Sequence, residues 1–548
     1  MPDPSGPRLA SQRAYSTAHH VVKSASVIGL ATFTSRLLGF IRDMVLARLF
    51  GATTAADAFF VAYRIPNLLR ELLAEGSMSS AFIPVFTEYH TLRTRQEMRE
   101  LVHAAFTTLV TIVSALTLLG IVTAPAIVWL LAPGFHGHPG QLALTTLLAR
   151  LMFPYLLFIS LAALAMGILN ALRAFAVPAL SPVFFNVSMI GCALIVAPAL
   201  PEPIVGVALG VVAGGAAQFA IQLPGLVRRG MGFGWRFEPW HPGVKRIGAL
   251  MMPSLLGLSV TQINLTVSTI LASFFPGGPT YLFYGMRLIQ FPLGIFGTAL
   301  ATAILPTLAA QAARGAFDEL RSTVAFGIRM VLFIIVPAMV GLILLRQPIV
   351  HLFFEHGSFT GRDTAATATA VLCYGVGLWA FAGVRIIVAA FYSIKDTATP
   401  ALVAAVAVLA NVGCSILLMD WLEAAGLALA TASSAMLNVG ILLTVLNRRV
   451  GGLDWWSVWR SAMRICVATV PVALTCLWVA HASLWAQEAQ WGAKAVLLVL
   501  GIGMSLMAYG AVHALLRSEE LEVVWGLIRG ARGGQASHDR YASPDRSA

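Results

Sequence analysis

Charge is what this sequence has least of. Asp, Glu, Lys and Arg make up 11% of its 548 residues while 58% are hydrophobic, and the mean hydropathy is +0.81. A soluble domain carries about 25% charged residues, so a water-soluble globular chain is excluded and a polytopic membrane protein is indicated. Equally absent are a Walker A loop, an HExxH helix, a GxSxG elbow and any long polar domain, which argues against an ATP-driven pump or a hydrolase. We therefore expect neither an enzyme nor a cofactor. The five cysteines, Cys192, Cys373, Cys414, Cys466 and Cys476, lie scattered in apolar runs without CxxC spacing, so neither a disulfide framework nor a zinc site is supported. His136 and His138 stand two apart in a Gly/Pro loop and read as a solvated turn more readily than as metal ligands. Residues 1–24 lack the apolar core and small-residue cleavage site of a signal peptide, and the first span is expected to remain in the mature chain.

What is present is a succession of apolar runs. About fourteen are long enough to span a bilayer, from 25–49 and 56–88 through 281–308, 400–419 and 424–446 to 461–482 and 493–516. The net charge of +12 is dispersed through short loops instead of forming a basic domain, so no nucleic-acid partner is expected. Instead the positive residues set topology, because loops facing the cytoplasm are rich in Lys and Arg. Every second connection qualifies: Arg93, Arg95 and Arg99; Arg173; Arg228, Arg229, Arg236, Lys245 and Arg246; Arg314 and Arg321; Lys395; then Arg448, Arg449 and Arg460. The intervening loops at 51–57, 133–141, 200–203, 275–279 and 419–426 are nearly bare, whereas the loop around 346–363, with Arg346 and Arg362, fits least well. The alternation predicts both termini in the cytoplasm. Several spans are interrupted by proline, at Pro154, Pro178, Pro182, Pro253, Pro292, Pro306 and Pro400, a pattern that marks moving or binding parts of transporters. Residues 309–321 read as a short amphipathic surface helix and a junction between two halves.

The most informative stretch is 35–75, SRLLGFIRDMVLARLFGATTAADAFFVAYRIPNLLRELLAE. Here Arg36, Arg42 and Asp43 sit inside an apolar run and Arg70 follows on the next. At about 100° per residue Arg36, Gly39 and Asp43 share one helical line, with Ser35 and Arg42 on the line beside it. Each Arg near the membrane centre costs roughly 2.5–3.5 kcal/mol, so such a face lines a bundle interior or a watery cavity. The competing reading is structural, with the arginines paired to Asp43 and Asp57 or snorkelling to the headgroups. Arg48, near the end of its run, reads as an ordinary interface anchor.

A second polar centre is YLFYGMRLIQFPLG at 281–294, where Arg287 is followed one turn later by Gln290, just before Pro292. With Arg36, Arg42 and Arg70 it makes a set of guanidinium groups suited to phosphate, since the planar fork donates two parallel hydrogen bonds and stays charged at any physiological pH. The expected substrate is anionic and phosphorylated.

Those residues, with DAFFVAYRIPNLLRELLAEG at 57–76, GILNALRAFAVPALSPVFFN at 167–186, QFPLGIFGTALATAILPTLA at 290–309, FEHGSFT at 354–360 and FYSIKDTATP at 391–400, resemble the MurJ (MviN) family of lipid II flippases. That family belongs to the MOP superfamily, which also contains the MATE exporters. The resemblance implies an all-α fold of two six-helix lobes forming a V around a central cationic cavity, plus two C-terminal helices. On it, 1–24 is a cytoplasmic extension, 25–227 the first lobe, 228–246 a cytoplasmic loop, 247–447 the second lobe, 461–516 the wall of a lipid-tail groove and 517–548 a cytoplasmic tail. It implies a multi-pass protein of the bacterial inner membrane that moves lipid II, an undecaprenyl-diphosphate-linked peptidoglycan precursor, to the periplasmic leaflet. The partners it implies are this lipid, membrane lipids and cell-wall synthesis proteins. The cavity residues it implies are Ser35, Arg36, Arg42, Asp43, Asp57, Arg70 and Arg287, with Gln290 beside them. The alternative is a flippase for another polyprenyl-diphosphate oligosaccharide or a MATE-like antiporter. Gly285 and Gln290 depart from members that carry Asp and Glu there. Some members bind sodium through carboxylates of the seventh and eleventh spans; here Gln262, Asn264, Ser268, Asn411, Ser415 and, on the twelfth, Thr431 offer none, which argues against a sodium site. Membrane potential is the leading energy source.

Overall fold

The computed structural model describes residues 29–72, 77–487 and 490–526, and among these the regular structure is helical throughout. Among the described residues, nine helices are long and apolar enough to cross a membrane by length and composition. The longest, Ala398–Arg449, has 52 residues, which at about 1.5 Å per residue is more than twice the thickness of a bilayer core. It breaks at Glu423, where φ is 48° and ψ −131°. A Cβ on Gly426 would stand 2.5 Å from the carbonyl oxygen of Leu418, so the chain turns back tightly there and only glycine fits. That break falls inside the bare loop expected at 419–426.

Four further helical regions lie outside these nine among the described residues. They are the helix over 29–50, the pair Thr54–Arg70 and Ser77–Leu92, the helix Pro242–Ala272 and the segment from Gly278 to Ala313. These four hold almost all the polar groups singled out from the sequence. In the last of them Pro292 removes a backbone donor, and the next turn, Leu293–Gly297, widens to a π-helix before Thr298–Ala313 resumes. The surface helix expected over 309–321 is not a separate element. Helix Thr298–Ala313 runs into it, Gly315 turns the chain at φ +68°, and Phe317–Leu344 begins at once.

The chain forms two compact units, Met1–Thr280 with His356–Thr360, and Tyr281–Glu355 with Gly361–Ala548. In the first, Ala176–Gly191 and Pro203–Ala220 approach closely because Gly206, Gly210 and Gly214 repeat every fourth residue. A Cβ on these would stand 2.6 Å from Ala197 Cα, 2.9 Å from Cys192 Cβ and 2.7 Å from Phe185 Cδ2, the small-residue packing that replaces hydrophobic drive between helices in lipid. Phe82, Phe86, Leu101, Leu164 and Ile168 form a core with Ile247 at the start of Pro242–Ala272. That helix, expected to open the second lobe, packs on Ser77–Leu92 and Arg95–Leu131.

In the second unit Phe317–Leu344 carries the C-terminal pair, Trp455–Ala480 and Trp491–Leu515, through a core of Met330, Phe333, Ile465, Val472 and Tyr509. Polar contacts fix both ends of the pair. Arg329 donates to Ser457 Oγ at 2.6 Å and to Glu519 at 2.9 Å, and Lys494 lies 2.9 Å from His351 Nε2, whose Nδ1 is 2.9 Å from Glu355.

Candidate functional site

In the first unit the polar residues resolve into three groups. The first centres on Arg42, which is 9% exposed beside a fully buried Asp43. Its Nε and Nη2 donate to Asp43 Oδ1 at 3.0 and 2.7 Å, and Nη1 donates to Asn186 Oδ1 at 3.1 Å. Asn186 in turn donates to the carbonyls of Ser35 and Pro182, each at 3.1 Å, so the glycine-packed helix that carries it orients the guanidinium. Ser35 enters through its backbone oxygen. Arg36, one residue on, is exposed. The helical lines read from the sequence are therefore occupied unequally, and Arg42 and Asp43 form a buried ion pair.

The second group is Asp57, 1% exposed. One carboxylate oxygen accepts from Gly277 N at 2.7 Å, and the other from Thr280 N at 3.2 Å and Thr280 Oγ1 at 2.7 Å. These donors open the helix Gly278–Pro292, so the carboxylate occupies the end where the helix dipole and unpaired N–H groups favour negative charge.

In the third group Arg70 and Gln262 were singled out from the sequence, whereas Arg64, Asn67 and Glu71 were not. Arg64 Nη2 donates to Gln262 Oε1 at 2.7 Å, and Gln262 Nε2 donates to Glu71 Oε2. Glu71 Oε1 accepts from Asn67 Nδ2 at 2.9 Å, and Asn67 Oδ1 accepts from Arg70 Nε at 2.9 Å. Arg70 Nη2 stands 3.8 Å from Glu71 Oε1. The signal for half of this was in the spacing, because Arg64, Asn67 and Glu71 at i, i+3 and i+7 share one helix face. The other half, Gln262 on Pro242–Ala272, is a matter of tertiary packing. A carboxylate from another helix thus reaches the seventh-span amide that the sequence left without one.

In the second unit Arg287 is half-buried and Gln290 exposed on Gly278–Pro292. Gly285 has a reason to lack the acidic side chain of some relatives: a Cβ there would stand 3.2 Å from Ala370 Cβ, so helix Gly361–Val376 packs directly over it. Arg48 in the first unit is exposed, and its carbonyl accepts from Ser358 N at 2.9 Å. His136 stacks on Trp129 at 4.8 Å and its Nε2 lies 2.8 Å from the Trp129 carbonyl, which caps the end of Arg95–Leu131. Among the described residues no group of three or more His, Cys, Asp or Glu side chains is arranged to hold a metal.

Outside the spans, Asp396 in the turn before Ala398–Arg449 is held below the usual carboxylate range, first by the Thr399 hydroxyl and amide and also by the nearby Arg449 guanidinium. Glu97 is likewise lowered, by the Thr94 amide and hydroxyl in a capping box.

Comparison with known proteins places this arrangement. The chain is similar to a solved structure described as lipid II flippase MurJ in an inward closed conformation, with a TM-score of 0.74, 26% identity and coverage of 90% of this chain and 99% of that one. An inward-facing MATE multidrug transporter of the MOP superfamily shares the fold at a TM-score of 0.64 and 16% identity, over 78% of this chain and 98% of that one. Among curated proteins, the probable lipid II flippase MurJ of Vibrio cholerae is 39% identical over 90% of this chain and 96% of its own length. The lipid II flippase MurJ of Burkholderia cenocepacia is 35% identical over 76% of this chain and 82% of its own. The family model described as lipid II flippase MurJ matches residues 46–498, and on that extent of agreement the chain belongs to the MurJ family.

Proposed function

We propose that this chain moves lipid II from the cytoplasmic to the periplasmic leaflet of a bacterial inner membrane, and so serves peptidoglycan synthesis. The observation that carries the reading is membership of the MurJ family across residues 46–498. The chemistry of the polar groups supports it. A diphosphate leaving water needs cationic partners, whereas the undecaprenyl tail stays in the membrane. In this reading Ser35, Arg36, Arg42, Asp43, Asp57, Arg70, Arg287 and Gln290 contribute to a central cationic cavity that receives the headgroup by alternating access. The C-terminal pair, Trp455–Ala480 and Trp491–Leu515, offers the groove for the tail. Both termini lie in the cytoplasm, and cell-wall synthesis proteins are partners. Membrane potential gives direction, at about 2.3 kcal/mol per charge per 100 mV.

The test is purified protein in vesicles containing lipid II on one leaflet, with its appearance on the other followed after a potential is imposed. Protein-dependent, potential-dependent transfer is expected. Equal transfer of a polyprenyl diphosphate bearing an unrelated oligosaccharide would favour the broader exporter reading. Absence of lipid II transfer, in vesicles where the protein is folded and correctly oriented, would refute the proposal.

A further inference from the structure

We infer that Gln262 and Glu71 are positioning residues for the cationic site, a bridge between two helices that sets the orientation and spacing of Arg64 and Arg70. The inference rests on the lipid II reading above and adds two residues outside the site expected from the sequence. Its basis is a chain of side-chain contacts in the first unit. Arg64 Nη2 is fixed on Gln262 Oε1 at 2.7 Å, Gln262 Nε2 donates to Glu71, and Glu71 holds Asn67, which holds Arg70 Nε at 2.9 Å.

The residue types at the joints matter. Gln262 is 5% exposed and is the one amide that receives from a guanidinium and donates to a carboxylate across the two helices. Because it is neutral, Gln262 links Arg64 to Glu71 without adding a charge of its own. A carboxylate at 262 would bind Arg64 as well, yet it would add a negative charge and repel Glu71. An apolar residue would release Arg64 from the seventh helix. Arg64 Nε is buried and has no acceptor among the described residues, so this N–H is available to an anionic oxygen. A buried donor without a partner in the chain asks for an explanation, and a diphosphate or carboxylate oxygen of the headgroup supplies one. The contacts therefore join helix Pro242–Ala272 to Thr54–Arg70 through a neutral amide and leave the Arg64 Nε–H for the substrate.

The test measures lipid II transfer in vesicles as a function of lipid II density, giving a half-saturating density and a maximal rate, with the melting temperature of each variant alongside. Gln262→Leu is expected to raise the half-saturating density about tenfold and leave the maximal rate within about twofold, because one tenfold step corresponds to one well-placed charged contact. Gln262→Glu alone and Glu71→Gln alone should each weaken binding. The swap Gln262→Glu with Glu71→Gln restores one amide and one carboxylate to the bridge, and should return the half-saturating density to within about threefold of the original. If either Gln262 or Glu71 variants bind lipid II as tightly as the original chain while Arg70→Ala does not, the bridge is refuted and the flippase reading stands. A swap no better than the single variants, at equal melting temperature, also refutes it. Failure of the unaltered chain to move lipid II would refute the flippase reading itself.

Discussion

Replacing Arg42 by alanine separates a structural from a substrate-binding arginine. Arg42 is 9% exposed and makes hydrogen bonds of 2.7 and 3.0 Å to an Asp43 that is fully buried, and a further bond of 3.1 Å to Asn186. Removing one member of a buried ion pair costs about 3–5 kcal/mol. A native protein has only about 5–15 kcal/mol of stability, so most of the Arg42→Ala protein should fail to accumulate. Arg42→Lys keeps the charge but loses the fork, and should cost about 1–1.5 kcal/mol through the Asn186 bond. The double variant Arg42→Met, Asp43→Leu removes both charges and should recover abundance, since apolar substitution of a whole buried pair is often neutral or stabilising. The assay is membrane abundance and melting temperature for all three, measured beside complementation. If Arg42→Ala accumulates and melts as the original does, the buried pair is not holding the fold. If the double variant restores growth as well as abundance, Arg42 has no role in transport.

Four further outcomes are expected. Asp57→Ala should lower the melting temperature more than Asp57→Asn, because alanine leaves the Gly277 and Thr280 donors unsatisfied, at about 1–3 kcal/mol each; equal melting of all three proteins would contradict the capping role. The lowered Asp396 carboxylate contributes stability that is present above the unfolded value of about 3.9 and is lost as pH falls through its folded value. Asp396→Asn should therefore melt lower than the original at pH 7, and a scan toward pH 3 should bring the two curves together. Transfer should proceed without sodium, since Gln262 is engaged by Arg64 and Glu71; a saturable sodium requirement lost on changing Asn411 would overturn this. Single cysteines placed in 133–141 and 419–426, in a chain lacking the five native ones, should react with an impermeant thiol reagent on intact cells, while those in 228–246 and 447–460 should not; strong labelling within 228–246 would invert the topology.

The sequence carried the helical class, the turn near Glu423 and the interruption after Pro292, because each is written locally as hydropathy, as a glycine at 426 or as a missing backbone donor. It also carried the arginines that lie inside apolar runs, since any charge there stands out. Partnership was another matter. Asn186 orients Arg42 across a separation of 144 residues, and Gln262 reaches Glu71 across 191; neither distance leaves a periodic trace. The amphipathic pattern over 309–321 was real, but Gly315 in the left-handed region divides it between two longer helices, and pattern alone does not show where one helix ends and its neighbour begins.

The way each charge is compensated sorts the residues by task. Arg42 and Asp43 cancel each other in a buried pair, so an anionic headgroup would have to compete with a carboxylate 2.7 Å away. Asp57 is neutralised by the positive end of a helix and adds little field beyond the turn it caps. Arg64 and Arg70 are different, because amides of Gln262 and Asn67 meet them directly. Amides fix geometry without cancelling charge. In the first unit Arg64 and Arg70 are thus each met by an amide, and Arg36 is exposed. It follows that variants of Arg70 should alter transport at normal abundance, whereas variants of Arg42 should alter abundance first, although both are arginines inside apolar runs and look alike in the sequence.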